Sequence, residues 1–530
     1  MHIPGALLGA GTLAVLATSA SASPTSRRNP KPHYVSWPDR AEAVKTAFQI
    51  SWDGYYKYAF PHDSLKPVSK TFQDDRNGWG ASAVDALSTA LVMENEQAIA
   101  QILAHVQNID FNSAVGDISL FETTIRYLGG LLSGYDLLTT PGALTGKHDS
   151  ANKTQLAAVL SQAQHLADNL KVAFDTPSGV PDNDVLFSPP RRGGSATNGI
   201  ATIGTLVLEW TRLSDLTGDP QYGKLAQKGE AYLLNPQPQA LAEPFPGLVG
   251  TNVNITTGEF VDGNGGWVGG DDSFYEYLIK MYIYDPVRFA HYKDRWVLAV
   301  ESSMKHLASH PASRPNLTFL AMFAGTSPRF VSQHLACFDG GNIILGGLVL
   351  NEPRYVAFGL ELAASCHDTY TATATRIGPE TFAWQDDGRL AAKNASNNTP
   401  PPADQADFSA KSGFWIQDGQ YVLRPEVIES YYYAYRATGD PKYQDWAWDA
   451  FLAINKTCAA GSGYSSVNNV NAAGGGSFQD FQESFWFAEV LKYSYLIQAD
   501  DAPYQVQVDG SGEFVYNTEC HPVRIANSKS

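Results

Sequence analysis

From Trp79 onward the chain repeats one pattern: apolar residues at helical spacing, a short polar break, then another such run. In WGASAVDALSTALVM the apolar positions Ala83, Leu87, Ala90 and Leu91 recur three or four residues apart, which puts them on one face of an α-helix. The same spacing runs through FETTIRYLGGLLSGYDLL, TLVLEWTRLSDL, YEYLIKMYIY and ESFWFAEVLKYSYLI, and a first helical element is expected from Val35 to Asp53. Strand-like alternation is rare and short, so the pattern predicts an all-α fold with minor β structure. Two nearly identical segments, Thr217-Gly-Asp-Pro-Gln-Tyr222 and Thr438-Gly-Asp-Pro-Lys-Tyr443, read as joints between helices. In each, Gly ends one helix in the left-handed conformation, Asp caps the next, and Pro suits its first turn.

Acids recur near the starts of these runs: Glu122, Glu209, Asp272 with Glu276, Glu426 with Glu429, and Glu483 with Glu489. Helix N-termini favour acids through the macrodipole and capping alone. Glu122 and Arg126 need more, because they sit among Leu120, Phe121, Ile125 and Leu128, where a buried charge has to be paired or functional. Hairpins stacked in a ring would bring the helix starts to one mouth, so the pattern predicts a closed α/α barrel with an acidic funnel. Two carboxyl groups at such a mouth suit glycoside hydrolysis, in which one protonates the departing oxygen and the other activates water or attacks the sugar.

Composition narrows the partners. The formal charge of −17, with no basic run, argues against nucleic acid, since phosphate binding needs clustered Lys and Arg. Aromatic residues make up 12%, and sugar stacking is one use of such rings beside core filling. The opening MHIPGALLGAGTLAVLATSASA ends in a small-x-small pattern and reads as a signal peptide, residues 1–22, although its start carries His2 and no Lys or Arg. A polar, Pro-rich linker follows over 23–34, and the folded domain is expected over 35–525. No later run is apolar enough for a membrane anchor, so a secreted protein is expected. The acceptor pattern Asn-x-Ser/Thr at Asn152, Asn254, Asn316, Asn394, Asn397 and Asn455 agrees with export. Four cysteines, Cys337, Cys366, Cys458 and Cys520, are compatible with two disulfides and lack the spacing of a cysteine zinc site.

The segments AFQISWDGYYKYAFPHDSLKPVS, NGWGASAVDALSTALVM, LFETTIRYLGGLLSGY, DDSFYEYLIKMY, HLACFDGG, RIGPETF, LRPEVIESYYYAYRATGDPKYQDWAWDAF, ESFWFAEVLKYSYL and VYNTECHP run in order from Ala47 to Pro522. Together they resemble the class I α-1,2-mannosidases of glycoside hydrolase family 47. The resemblance implies one catalytic (α/α)7 barrel domain and an inverting, Ca²⁺-dependent exo-mannosidase acting on high-mannose N-glycans; nothing in the sequence demands more than a monomer, and no membrane partner is expected once the signal peptide is removed. It implies catalytic roles for Glu122, Asp272 and Glu426. Glu426 is the base; the acid is Glu122 acting through a bridging water, or Asp272. Thr518 is implied to hold the metal, with Glu380, Glu429, Glu489 and Glu519 orienting its waters. Arg126, Arg424 and Phe485 are implied to contact sugar.

The resemblance also pairs Cys337 with Cys366 and leaves Cys458 and Cys520 unassigned, a bridge between them being one option. Gly270 stands where endoplasmic-reticulum members carry a branch-restricting arginine, which implies broader trimming. Two alternatives remain at this stage: a lectin-like member that binds glycans with little turnover, and a different α/α-barrel glycosidase acting on α-glucans.

Overall fold

The structure, a computed structural model, describes residues 32–144, 153–187, 189–508 and 512–526. The expected signal peptide, most of the expected linker, and Asn152 lie outside these residues. Among the described residues, seven pairs of helices build the fold. In chain order they are α1 (Pro38–Tyr58), α2 (Ala81–Val92), α3 (Glu96–Val106), α4 (Gly129–Thr139), α5 (Lys153–Leu170), α6 (Val207–Thr217) and α7 (Gln221–Leu234). There follow α8 (Asp272–Tyr284), α9 (Ala290–His306), α10 (Phe338–Val349), α11 (Pro353–Ala372), α12 (Glu426–Thr438), α13 (Lys442–Cys458) and α14 (Leu491–Leu496).

The even-numbered helices form an inner ring, each packed on its neighbours, and the segment before α14 closes the ring against α2. Each pairs with an outer helix: α2 with α3, α4 with α5, and so on round to α14, whose partner is α1 from the other end of the chain. This is an (α/α)7 barrel. Helix burial follows from these positions. All twelve residues of α2 are buried, because ring neighbours flank it and an outer helix backs it. Outer α1 buries one stripe, Val44, Ala47, Phe48, Ser51, Trp52 and Tyr55, and leaves its other face in water.

Small residues set the closest approach. A Cβ on Gly134 would lie 2.4 Å from Leu87 Cδ2, and one on Gly130 would lie 2.9 Å from the Val84 carbonyl oxygen, so α4 lies against α2 through glycine. The two Gly-Asp-Pro joints follow the expected order, except that Pro220 and Pro441 stand just before the next helix rather than in its first turn, with the Asp one residue earlier. Gly218 and Gly439 end α6 and α12 with φ of 75° and 67°. Asp219 and Asp440 then accept hydrogen bonds from the N–H groups of Gln221 and Lys442, at 2.9 and 3.0 Å.

Among the described residues the β structure is seven small antiparallel sheets. One matters for the site: a hairpin of β1 (Phe514–Tyr516) and β2 (Pro522–Arg524), with Val515 opposite Val523, enters the ring between α4 and α8. Its tip, residues 517–521, is buried apart from Thr518. A second small core, with Phe319, Phe330, Phe382, Trp384 and Phe414, holds the long connection before α12.

Cys337 and Cys366 form a disulfide between the start of α10 and α11. The bridge left open between Cys458 and Cys520 does not form; both are free and buried. Cys458 ends outer helix α13 on the side of Tyr370 and Tyr421, whereas Cys520 sits in the hairpin tip beside Lys492 and Tyr493. Asn316, Asn394 and Asn455 are exposed, while Asn254 and Asn397 are half-buried and the Nδ2 of Asn397 donates to the Pro328 carbonyl at 2.6 Å. No described helix is long and apolar enough to cross a membrane.

Candidate active site

A cavity of about 440 Å³ opens where the inner helices begin. Six of the seven inner helices, or the segments leading into them, contribute side chains there: Glu122 and Arg126, Ala201 and Thr202, Asp272 and Glu276, Leu335 and Phe338, Glu426 and Glu429, Phe485 and Glu489. Arg424, Thr518 and Glu519 add further polar groups to the lining. Residues separated by almost 400 positions in the chain thus meet at one depression.

Two of the leading-in segments depart from α-helical geometry. Thr124–Leu128, ahead of α4, and Trp486–Val490, ahead of α14, are π-helical. Each shifts the following turn by a residue, and they carry Arg126 and Glu489 into the cavity.

Glu122 is gripped by Arg126, whose Nη2 and Nε reach its Oε2 at 2.7 and 2.8 Å, and Arg76 Nε stands 3.6 Å away. Burial opposes its ionisation, yet Arg126 and then Arg76 outweigh burial and hold the carboxyl below its ordinary range. Arg126 is itself shared. Its Nη1 meets Glu519 at 2.8 Å and Asp85 at 3.6 Å, and its guanidinium lies 5.4 Å from the centre of the Phe485 ring. The charge among apolar neighbours is therefore a buried network rather than one isolated pair.

Glu426 receives a hydrogen bond of 2.6 Å from His334 Nδ1. The other ring nitrogen of His334 lies 2.7 Å from the Tyr370 hydroxyl, a contact that holds the ring with Nδ1 towards Glu426. Burial raises the proton affinity of Glu426, but the hydrogen bond from His334 and the charge of Arg424 more than offset it, so the carboxyl stays below its usual range. Asp272 goes the other way. Burial pushes it up to about 7, opposed by the Ser273 N–H and Arg424 and reinforced by Glu276 and Glu426. The cavity therefore holds an ionised carboxylate and a carboxyl that keeps its proton near neutrality, the pairing that acid–base hydrolysis needs.

Deeper in, burial raises Glu429 and Glu489 well above the carboxylate range, each pushed further by neighbouring acids, and raises Glu519 to about 8 against the pull of Arg126. Glu519 Oε2 is buried without a hydrogen-bond partner. Among the described residues no three His, Cys, Asp or Glu side chains are grouped to ligate a metal. Thr518 lines the same cavity as Glu276, Glu429, Glu489 and Glu519, hard oxygen donors of the kind that suit a Ca²⁺ whose shell is completed largely by water.

Other expectations shift. Glu380 does not line the cavity; it forms a forked pair with Arg424, with Nη2 at 2.6 Å and Nε at 2.7 Å. Glu483 is half-buried, with the charges of Arg126 and Arg76 lowering its proton affinity, while desolvation raises it to about 7. Glu209 is not at the mouth at all but beneath the hairpin tip, bonded to Tyr277 and Asn517. Gly270 has φ of 97°, and a Cβ there would meet only Thr251 Cγ2 at 3.9 Å, so that wall is open. His334 and Arg76 carry no role in the sequence reading, although His334 opens the quoted segment HLACFDGG.

The family model described as glycosyl hydrolase family 47 matches residues 47–525. The chain belongs to glycosyl hydrolase family 47. Among similar members, the mannosyl-oligosaccharide α-1,2-mannosidase 1B of Aspergillus phoenicis is 54% identical over 530 residues, covering all of both chains. The mannosyl-oligosaccharide α-1,2-mannosidase of Penicillium citrinum is 56% identical over 489 residues, 92% of each. The solved structure of the α-1,2-mannosidase from Trichoderma reesei superposes with a TM-score of 0.89 at 54% identity, covering 94% of this chain and all of that one. Family 47 membership makes this chain a glycoside hydrolase, and the cavity is where its carboxyl groups converge.

Proposed function

We propose that this chain is an inverting, Ca²⁺-dependent exo-α-1,2-mannosidase that removes terminal mannose from high-mannose N-glycans. The observation that carries the reading is the opposed state of two acids in one cavity: Glu426 ionised under His334, and Asp272 protonated up to about pH 7. The sugar and the linkage come from the similarity to mannosyl-oligosaccharide α-1,2-mannosidases.

In this reading Glu426 takes a proton from a water molecule, which attacks the anomeric carbon from the face opposite the leaving group. The acid delivers a proton to the departing oxygen. Glu122, acting through a bridging water, is the assignment that the family motif makes. The raised proton affinity of Asp272, against a Glu122 held ionised by two guanidinium groups, favours Asp272 as the group that carries the proton at rest. Phe485 offers a ring for the apolar face of the sugar, while Arg126 and Arg424 orient the acids and meet its hydroxyls.

Thr518 would hold Ca²⁺ through its hydroxyl and carbonyl oxygens, and Glu429, Glu489 and Glu519 would orient the surrounding waters, with Glu380 acting through Arg424. The ion, when bound, supplies a positive charge for the sugar hydroxyls. The open wall at Gly270 fits trimming of several branches rather than one. The same reading places the chain in the secretory pathway as a monomer, with residues 1–22 removed, 35–525 as the catalytic domain, and glycans at the exposed Asn316, Asn394 and Asn455.

Incubating the mature protein with a high-mannose glycan and resolving products by mass spectrometry tests the specificity. Stepwise loss of hexose that stops once α-1,2 termini are gone is expected. Release from α-1,3 or α-1,6 termini, or from an α-glucan, would overturn the linkage. Binding without release would point to a lectin.

A further inference from the structure

The buried Glu209 lies outside the cavity, yet its contacts lead to the residue that faces the proposed metal. Its Oε1 accepts from the Tyr277 hydroxyl at 2.7 Å and from Asn517 Nδ2 at 2.8 Å. The Tyr277 oxygen in turn accepts the N–H of Thr518 at 3.2 Å. On the other side of that peptide unit, the Asn517 carbonyl accepts from Lys280 Nζ at 3.2 Å. Both polar groups of the Asn517–Thr518 peptide are thus held by side chains of α8, and Glu209 on α6 anchors one of those side chains.

The next peptide unit is held as well. Asn517 Oδ1 accepts the Glu519 N–H at 2.9 Å, and Asn517 Nδ2 also donates to the Ile125 carbonyl at 2.9 Å. In a trans peptide the carbonyl points away from the N–H, so the Thr518 carbonyl is turned away from the Asn517 side chain. Its direction is decided by Asn517, whose own side chain is fixed by Glu209. Space is tight: a Cβ on Gly129 would lie 2.5 Å from Asn517 Nδ2, which leaves Asn517 little freedom to turn.

We propose that Glu209 and Tyr277 are positioning residues that aim Thr518 at the metal, setting Ca²⁺ affinity without touching either ion or sugar. This rests on the Ca²⁺ reading above and deepens it. A ligand held in advance loses little freedom on binding, whereas a hairpin tip released from its strut must be ordered by the ion itself.

Tyr277→Phe removes only the hydroxyl. Glu209→Gln keeps an oxygen for both donors, and Glu209→Leu keeps the bulk while removing the acceptor. Each is purified with chelator, checked for an unchanged thermal midpoint in the metal-free state, and titrated with CaCl₂ by calorimetry. Losing one such bond corresponds to roughly three- to tenfold in affinity. Tyr277→Phe and Glu209→Leu are therefore expected to bind Ca²⁺ about fivefold more weakly and to show a smaller rise in thermal midpoint on adding Ca²⁺, while Glu209→Gln stays near wild type.

Tyr277→Phe binding Ca²⁺ as tightly as wild type would overturn the proposal. So would Glu209→Gln failing as badly as Glu209→Leu, since charge rather than position would then be at work. If Glu209→Leu does not fold without metal, the other two variants still decide. Wild-type protein that takes up no Ca²⁺ would defeat the metal reading itself, a separate result.

Discussion

Replacing His334 by Phe should move the acidic side of the pH–activity profile to higher pH. The imidazole donates to Glu426 at 2.6 Å, and its orientation is fixed by the Tyr370 hydroxyl at 2.7 Å. A hydrogen bond to a charged group contributes about 1.5–3 kcal/mol, and each 1.36 kcal/mol corresponds to about one pH unit of proton affinity. In the proposed mechanism Glu426 is the base and works only when ionised, so activity should fall as pH drops through its titration. Removing the donor leaves burial less opposed, the carboxyl holds its proton to higher pH, and the limb moves up by about one to two units. Phe fills the ring's place, which limits the packing loss.

The assay is kcat/KM for α-1,2-linked mannobiose across the pH range, with folding checked by circular dichroism. Tyr370→Phe should produce a smaller shift in the same direction, because the donating nitrogen stays but the ring is no longer held in place. An acidic limb that stays in place in His334→Phe would refute the assignment of Glu426 as the base.

Other expectations test separate parts of the site. If the resting proton sits on Asp272, Asp272→Asn should lose the alkaline limb near pH 7 and about 100-fold or more in kcat, while Glu122→Gln keeps that limb; the reverse pattern would assign the acid to Glu122. Arg76→Gln removes one of two cations holding Glu122 ionised, and as Arg76 is partly exposed, the limb that Glu122 controls should rise by no more than about one pH unit; an unmoved profile would show that Arg126 suffices. Chelation should abolish hydrolysis and added Ca²⁺ restore it, whereas activity that survives chelation would remove the metal from the mechanism.

The helical hairpins are legible because outer helices such as α1 carry one apolar stripe, and because each Gly-Asp-Pro joint has its own turn chemistry. The inner ring is harder to read. A helix such as α2, buried on every side, has no distinguishing stripe, so the pattern does not say which neighbours it meets or after how many hairpins the ring closes. The π-helical turns at Thr124–Leu128 and Trp486–Val490 are invisible for a related reason: the residues suit an ordinary helix, and tertiary packing inserts the extra residue.

Acids show the same limit. Glu209 and Glu429 both occupy the first turn of an inner helix among apolar neighbours, yet one meets Tyr277 under the hairpin and the other lines the cavity. Only the rotation of each helix about its axis separates them. His334, a single imidazole ahead of α10, gains its meaning from a carboxylate 92 residues away.

The most direct test is to hydrolyse α-1,2-mannobiose with the mature, Ca²⁺-loaded protein inside a spectrometer and record which mannose anomer appears first. Water activated by Glu426 on the face opposite the leaving group yields β-mannose, followed by slow mutarotation. α-Mannose as the first product would contradict inversion, and with it the pairing of Glu426 with an acid across the sugar.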